Sequence, residues 1–298
     1  MADPAPSPTR GDVHDPIAPP VPAAERGPDG DDRDPKVSAG LAAERHQPGR
    51  PGPGVPSPAP PIPVPPGRGG IQHIPRPVTA RAGRPAPWAG LTPSVRRPTV
   101  AAVRAALEAQ GPPVRSIREL TGVTTRAAAV LAPLYDDVAG ATVVLTRRTW
   151  SLRSHRGEVS FPGGRAEPGE SPEQAARREA WEEIGLDPAA VEVVGELDHL
   201  ATVTSGSFIV PLVGMLPGRP ATQRNPAEVD AILHVPLAEL LDPAIYREEV
   251  WPFPDGSDRP IYFFELVGDT LWGATAAMLR QLLGMVTGTL GRGDLGHP

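Results

Sequence analysis

Three glutamates, Glu179, Glu182 and Glu183, stand at i, i+3 and i+4 in a stretch of helix-forming residues, so their carboxylates fall on one face of one helix. Like charges at those spacings destabilise an isolated helix by about 0.2–0.5 kcal/mol per pair, so folding gains nothing from them. A hard divalent cation such as Mg²⁺ or Mn²⁺ inverts that interaction, because it seeks carboxylate oxygens and keeps exchangeable waters. The competing structural reading is a solvated acidic face partly neutralised by Arg178, four residues before Glu182. Two neighbours favour the metal reading. Gly163-Gly164 lies upstream, where unhindered backbone can approach a ligand closely, and Glu170 is placed to meet Arg178 or to enlarge the acidic cluster.

The elements that must position these groups are legible around them. Ser171-Pro172-Glu173-Gln174 carries a good N-cap, a proline suited to the first helical position and a capping-box glutamine, and Gly185 is a natural stop. Ala176, Ala180 and Ile184 recur every four residues as a buried stripe. Before this helix, β-like runs at Arg126 to Leu134 and Ala141 to Thr146 are joined by Tyr135 to Gly140 as a hairpin, and a short strand at Glu158 to Phe161 leads into a sharp turn at Pro162-Gly163-Gly164. After it come β-like runs at Val191 to Gly195, Ser207 to Met215, Ala231 to Val235 and Pro260 to Leu266. A helix from Val100 to Ala109 precedes the set, stopped by Gly111-Pro112-Pro113. This alternation implies an α/β fold with a mixed sheet covered by helices, not a doubly wound sheet.

Gly164, Glu170, Arg178, Glu179, Ala180, Glu182, Glu183, Gly185 and Leu186 together resemble the Nudix box, G-x5-E-x7-R-E-U-x-E-E-x-G-U, with only the small Ala180 at its aliphatic position. The resemblance implies a Nudix-type α/β/α sandwich in which Glu179, Glu182 and Glu183 bind the metals and Arg178 orients Glu179 or Glu170. Further upstream, Leu145-Thr146-Arg147-Arg148-Thr149, Arg153, Gly157 and Phe161-Pro162-Gly163-Gly164 resemble the signature of the coenzyme A diphosphatase subgroup, L-L-T-x-R-[SA]-x3-R-x3-G-x3-F-P-G-G. Val144 and Thr149 depart from it. The resemblance makes Arg148, Arg153, Phe161, Gly163 and Gly164 substrate-binding, the arginines offering cationic forks to a substrate with several phosphate oxygens. Arg147, His155 and Arg156 read as surface or supporting residues, and Trp272 of Leu271-Trp272-Gly273 as core. The implied reaction is attack of water on one phosphorus of coenzyme A or acyl-coenzyme A. Glu228 is the candidate general base, with Glu182 or Glu183 as the alternative. ADP-ribose or a dinucleotide as substrate, and a ligand-sensing module without catalysis, stay open as rival readings.

Composition bounds the rest. Of 298 residues 42 are proline, concentrated before Thr99, and residues 1–83 contain no aromatic side chain. Such a segment reads as a disordered Pro/Gly-rich tail, a passive extension whose removal leaves the chemistry intact, with binding of polyproline-recognising partners as the alternative. Residues 84–290 then form the catalytic domain and 291–298 a flexible end. A net charge of −6 argues against nucleic acid as a partner. The absence of cysteine and of a secretory signal points to the cytoplasm. The apolar stretch from Leu271 to Leu290 carries Arg280 and Gln281 at its centre and reads as a core helix, not a membrane span. The expected partner is a small-molecule substrate, with a homodimer left open.

Overall fold

The computed structural model describes residues 64–115, 127–152, 154–201 and 208–295. The chain divides into Met1–Val55 and Pro56–Pro298, and all described residues belong to the second unit. The expected disorder of residues 1–63 and flexibility of 296–298 lie outside the described residues, as does Arg153.

In chain order the elements begin with β1 (Gly69–Gly70), β2 (Arg81–Ala82) and α1 (Val100–Ala109). The hairpin β3 (Ala127–Asp137) and β4 (Gly140–Arg148) follows, then β5 (Val159–Ser160), β6 (Gly163–Arg165) and α2 (Pro172–Ile184). Next are β7 (Glu192–Glu196), β8 (Leu200–Ala201), β9 (Phe208–Met215) and β10 (Val229–Pro236). The short α3 (Leu237–Leu240), β11 (Tyr246–Pro252), β12 (Asp258–Glu265), β13 (Val267–Gly268), β14 (Thr270–Trp272) and α4 (Gly273–Thr287) complete the set. The main sheet runs β10-β4-β3-β9-β7, parallel only between β3 and β9, with β5, β6 and β8 added at the margins. A second sheet runs β14-β12-β11-β2, and β1 pairs with β13.

Strand alternation assigns the two faces of the main sheet. Ala129, Leu131, Tyr135, Val144, Val210 and Leu212 meet the stripe Ala176, Ala180 and Ile184 of α2. Ala132, Leu134, Val143, Leu145, Val213 and Met215 point the other way, into a larger core with Val103 and Leu107 of α1 and the apolar residues of α4. A sheet covered on both faces has apolar residues at consecutive positions, which explains runs such as Val143 to Leu145. The layers are helix, mixed sheet, and helices with a second sheet: the expected α/β sandwich.

Two boundaries move. Tyr135 to Gly140 is not all connection: Asp137 pairs with Gly140, leaving Val138-Ala139 as a two-residue turn, because Tyr135 is buried and must stay in the strand. Ordered structure also begins well before residue 84, with β1, β2 and the buried Gln72 and Ala80. The apolar C-terminal stretch is the core helix α4, with Gln281 fully buried and bonded to the Asp198 carboxylate. Among the described residues no helix is long and apolar enough to cross a membrane.

Candidate active site

The α2 helix carries its glutamates from a well-fixed start. Ser171 Oγ accepts from Gln174 N at 3.2 Å, Gln174 Oε1 accepts from Ser171 N at 2.9 Å, and Gly185 closes the helix at φ 64°. Both devices satisfy backbone groups that a helix leaves unpaired. They fix the register of everything between.

That register separates the three glutamates by environment. Glu183 is 3% exposed and Glu179 is shielded, while the side chain of Glu182 stays 53% exposed. Glu183 Oε2 accepts a hydrogen bond from Gly163 N at 3.3 Å, and its Oε1 lies 3.8 Å from Arg148 Nη1. Burial pushes the Glu183 carboxyl up to about 8, a rise that Arg148 and the Gly163 N–H offset in part and that Glu179 and Glu228 reinforce. Glu179 is raised for the same leading reason, burial, against the pull of Arg178. Glu228 thus acts on both buried carboxylates through its charge. It is itself exposed, on a loop whose Glu228 carbonyl accepts from Thr149 N at 2.9 Å.

Arg178 is the centre of the polar network. It donates through Nε and Nη2 to both oxygens of Glu170 at 2.9 and 3.0 Å, through Nη1 to Glu179 at 3.0 Å and Glu182 at 3.1 Å, and through Nη2 to the Arg165 carbonyl at 3.0 Å. Of the two partners the sequence offered, Arg178 takes both. Among the described residues no three carboxylates or histidines converge as they stand into one cluster.

The donor set nevertheless fits a hard cation. It is all oxygen, two of its carboxylates are desolvated, the charge of Glu179 reaches Glu183, and Gly164 leaves room beside it: a Cβ there would lie 2.4 Å from Glu179 Cδ. Gly163 is required for another reason. At φ 154° its added Cβ would lie 2.4 Å from the Ala129 carbonyl oxygen and 2.6 Å from Val130 Cα, both backbone of the adjoining strand. Gly163→Ala is therefore expected to destabilise the fold by about 2–3 kcal/mol, read as a lower urea midpoint with an unchanged slope.

The remaining sequence-derived residues divide. Arg148, at the end of β4, reaches the site at Glu183, and its Nε is shielded from solvent with no hydrogen-bond partner. Phe161 is 1% exposed and belongs to the core, so it supports the Gly163-Gly164 turn from below and presents no surface to a substrate. Trp272 is partly buried against Trp251, ring centroids 6.2 Å apart. Arg147, read as a surface or supporting residue, takes the supporting role and bridges Asp230 at 2.9 Å and the buried Asp269 at 3.0 Å. Sequence spacing alone carried no signal for that bridge, since Asp269 lies 122 positions away.

Residues 125–254 match the NUDIX domain family. The chain is 39% identical over 162 residues, 53% of its own length and 83% of the relative's, to a protein of Photorhabdus laumondii described as the uncharacterized Nudix hydrolase NudL. It is 35% identical over 165 residues, 55% and 81% of the two lengths, to the like-named protein of Yersinia pestis strain Pestoides F. Among solved structures, an Ap4A hydrolase binary complex from C. elegans aligns at 20% identity and TM-score 0.35 over 40% of this chain and 86% of that one. The NUDIX domain of Shewanella oneidensis NrtR complexed with ADP ribose aligns at 21% and 0.33, over 40% and 77%. The glutamate helix and its glycine turn fall inside the matched residues, and the sequence relatives are covered over most of their length: the chain belongs to the Nudix hydrolase family, whose members generally use divalent metal cations on small nucleotide substrates.

Proposed function

We propose that this chain hydrolyses the diphosphate of coenzyme A or acyl-coenzyme A, giving 4'-phosphopantetheine or its acyl form and adenosine 3',5'-bisphosphate. The observation that carries the reading is the placement of Arg148. The arginine that resembles the subgroup signature stands at the rim of the carboxylate cluster, 3.8 Å from Glu183, with an unpartnered Nε. A fixed guanidinium there suits a phosphate oxygen adjoining the scissile bridge.

A divalent cation, Mg²⁺ or Mn²⁺, held by Glu179, Glu182 and Glu183 supplies neutralisation of the charge on the diphosphate oxygens. Arg178 holds Glu179 and Glu182 in place and takes the excess negative charge of the cluster. Arg148 orients the substrate, and Arg153 is assigned the same task. Glu228, exposed beside the two buried carboxylates, accepts the proton of the attacking water. The water oxygen forms a new bond to phosphorus, the bridging phosphorus–oxygen bond breaks, and the second phosphate leaves as a monoester. The absence of cysteine supports a cytoplasmic setting for this work.

Turnover of coenzyme A, dephospho-coenzyme A and ADP-ribose under one set of conditions tests the substrate. Coenzyme A is expected to exceed the other two by about tenfold or more in kcat/KM, because only it presents the 3'-phosphate. Equal rates on all three overturn the assignment in favour of a general nucleoside diphosphate hydrolase. Glu228→Gln is expected to lower kcat by about 10²-fold or more. Near-normal turnover would pass the base role to Glu182 or Glu183.

A further inference from the structure

The strand-like segment before the matched residues makes an unexpected connection to the site. Gly69 N donates to the Leu266 carbonyl at 2.8 Å and Gly70 N to Thr270 Oγ1 at 3.0 Å, so the segment is laid along the start of β13 and β14. From this strap Gln72, only 8% exposed, turns inward. Its Nε2 donates to the Gly157 carbonyl at 3.1 Å and to Asp269 Oδ1 at 2.7 Å, and its Oε1 accepts from Thr270 N at 3.0 Å. Both ends of the amide are used, and neither Gln72 nor Asp269 lies within residues 125–254, which match the family.

Gly157 belongs to the turn at residues 154–158, which leads into β5 and pairs back onto the end of β4. Arg148 N donates to the Glu158 carbonyl and the adjoining Thr149 N to the Glu228 carbonyl, each at 2.9 Å, so the turn is tied to the residue that reaches Glu183 and, one residue on, to the loop that carries the candidate base. Gly157 adopts φ 65° and lies beneath the Trp150 ring, 2.4 Å from where a Cβ would fall, which leaves its carbonyl turned to Gln72. The other acceptor of Gln72, Asp269, is 3% exposed and also receives Arg147, which in turn holds Asp230, two residues beyond Glu228. One buried node therefore ties the strap, the turn at 154–158, β4 and the start of β10.

We propose that Gln72 is a positioning residue for substrate binding: through Gly157 and Asp269 it holds residues 154–158, and with them Arg148, in register with the carboxylate helix. The proposal rests on reading that segment as substrate-facing. It also changes the boundary of the working enzyme, since removal of residues 1–83 takes Gln72 away while removal of 1–63 spares it.

The test uses the full chain with Gln72→Met, which keeps the bulk and removes both hydrogen-bonding ends, beside Gln281→Met, which does the same to a buried amide on α4 bonded to Asp198. Gln72→Met is expected to raise KM for coenzyme A about tenfold with kcat within about threefold. Hydrogen exchange of amides 154–158 should speed by about tenfold or more while α2 is unchanged. Gln281→Met should leave KM and the exchange of that segment as in the parent. A fall in thermal stability of Gln72→Met with unchanged KM and unchanged exchange of 154–158 would overturn the proposal, reducing Gln72 to a structural tie. If the parent turns over no diphosphate substrate, the functional reading fails, and the exchange comparison still decides whether Gln72 holds the segment.

Discussion

Glu183→Gln is expected to cost at least about 10³-fold in kcat and, in the presence of a chelator at pH 8, to make the protein more stable than its parent. Both effects follow from one cause. A carboxylate 3% exposed, with Arg148 no nearer than 3.8 Å and one backbone N–H at 3.3 Å, is poorly compensated for the water it has lost. Its carboxyl titrates at about 8 in the fold instead of its ordinary 4.5. The folded form therefore holds a proton that the unfolded form releases, and stability falls as pH rises across that window, by up to about 1.4 kcal/mol per pH unit. Below the ordinary value the group costs nothing, and above 8 the loss is complete. Glutamine removes the charge and with it the pH dependence, so the gain over the parent should reach up to about 4 kcal/mol at pH 8 and stay below about 1 kcal/mol at pH 5. Thermal melts with EDTA at the two pH values check the sign. An equal or larger destabilisation of the variant at pH 8 would mean that Glu183 is a structural group and not one held at a cost for binding a cation.

Arg178→Ala is expected to lower activity by about 10–100-fold and to destabilise the fold as well, the opposite pairing of effects to Glu183→Gln. Five hydrogen bonds leave this guanidinium, four of them to three carboxylates and one to the Arg165 carbonyl that fastens β6 to α2. Without it Glu170, Glu179 and Glu182 lose the one guanidinium that all three share. Arg178→Lys should recover little, because one ammonium cannot reproduce a planar fork that addresses Glu170 through two nitrogens and Glu179 through a third. High Mg²⁺ should restore part of the activity of the alanine variant by replacing the lost positive charge. Activity in Arg178→Ala equal to the parent would show that the carboxylates need no positioning.

The carboxylate helix was legible because its signals are local. Ser171, Pro172, Gln174 and Gly185 set its ends, and a four-residue repeat of small apolar residues sets its buried side. What sequence could not separate was the fate of the three glutamates: the turn of about 100° between successive helical residues put Glu183 against β6 and left Glu182 in water. Strand β11 went unread because Tyr246-Arg247-Glu248-Glu249-Val250 looks like a solvated run. Glu249 is nevertheless buried, held by Arg76 at 2.7 Å, Trp251 Nε1 at 2.8 Å and Arg247. Part of its compensation comes from a residue 173 positions away, which no window of sequence contains. The same holds for Gln72, whose setting in a Pro- and Gly-rich stretch reads as tail until its partners at Gly157, Asp269 and Thr270 are known.

The most direct test of the account is the identity of the products formed from coenzyme A with and without divalent cation. With Mg²⁺ or Mn²⁺ the protein should release adenosine 3',5'-bisphosphate and 4'-phosphopantetheine in equal amounts, and with excess EDTA, or with Glu183→Gln, neither. Failure to release adenosine 3',5'-bisphosphate in either metal, or release that persists undiminished in EDTA, would contradict it.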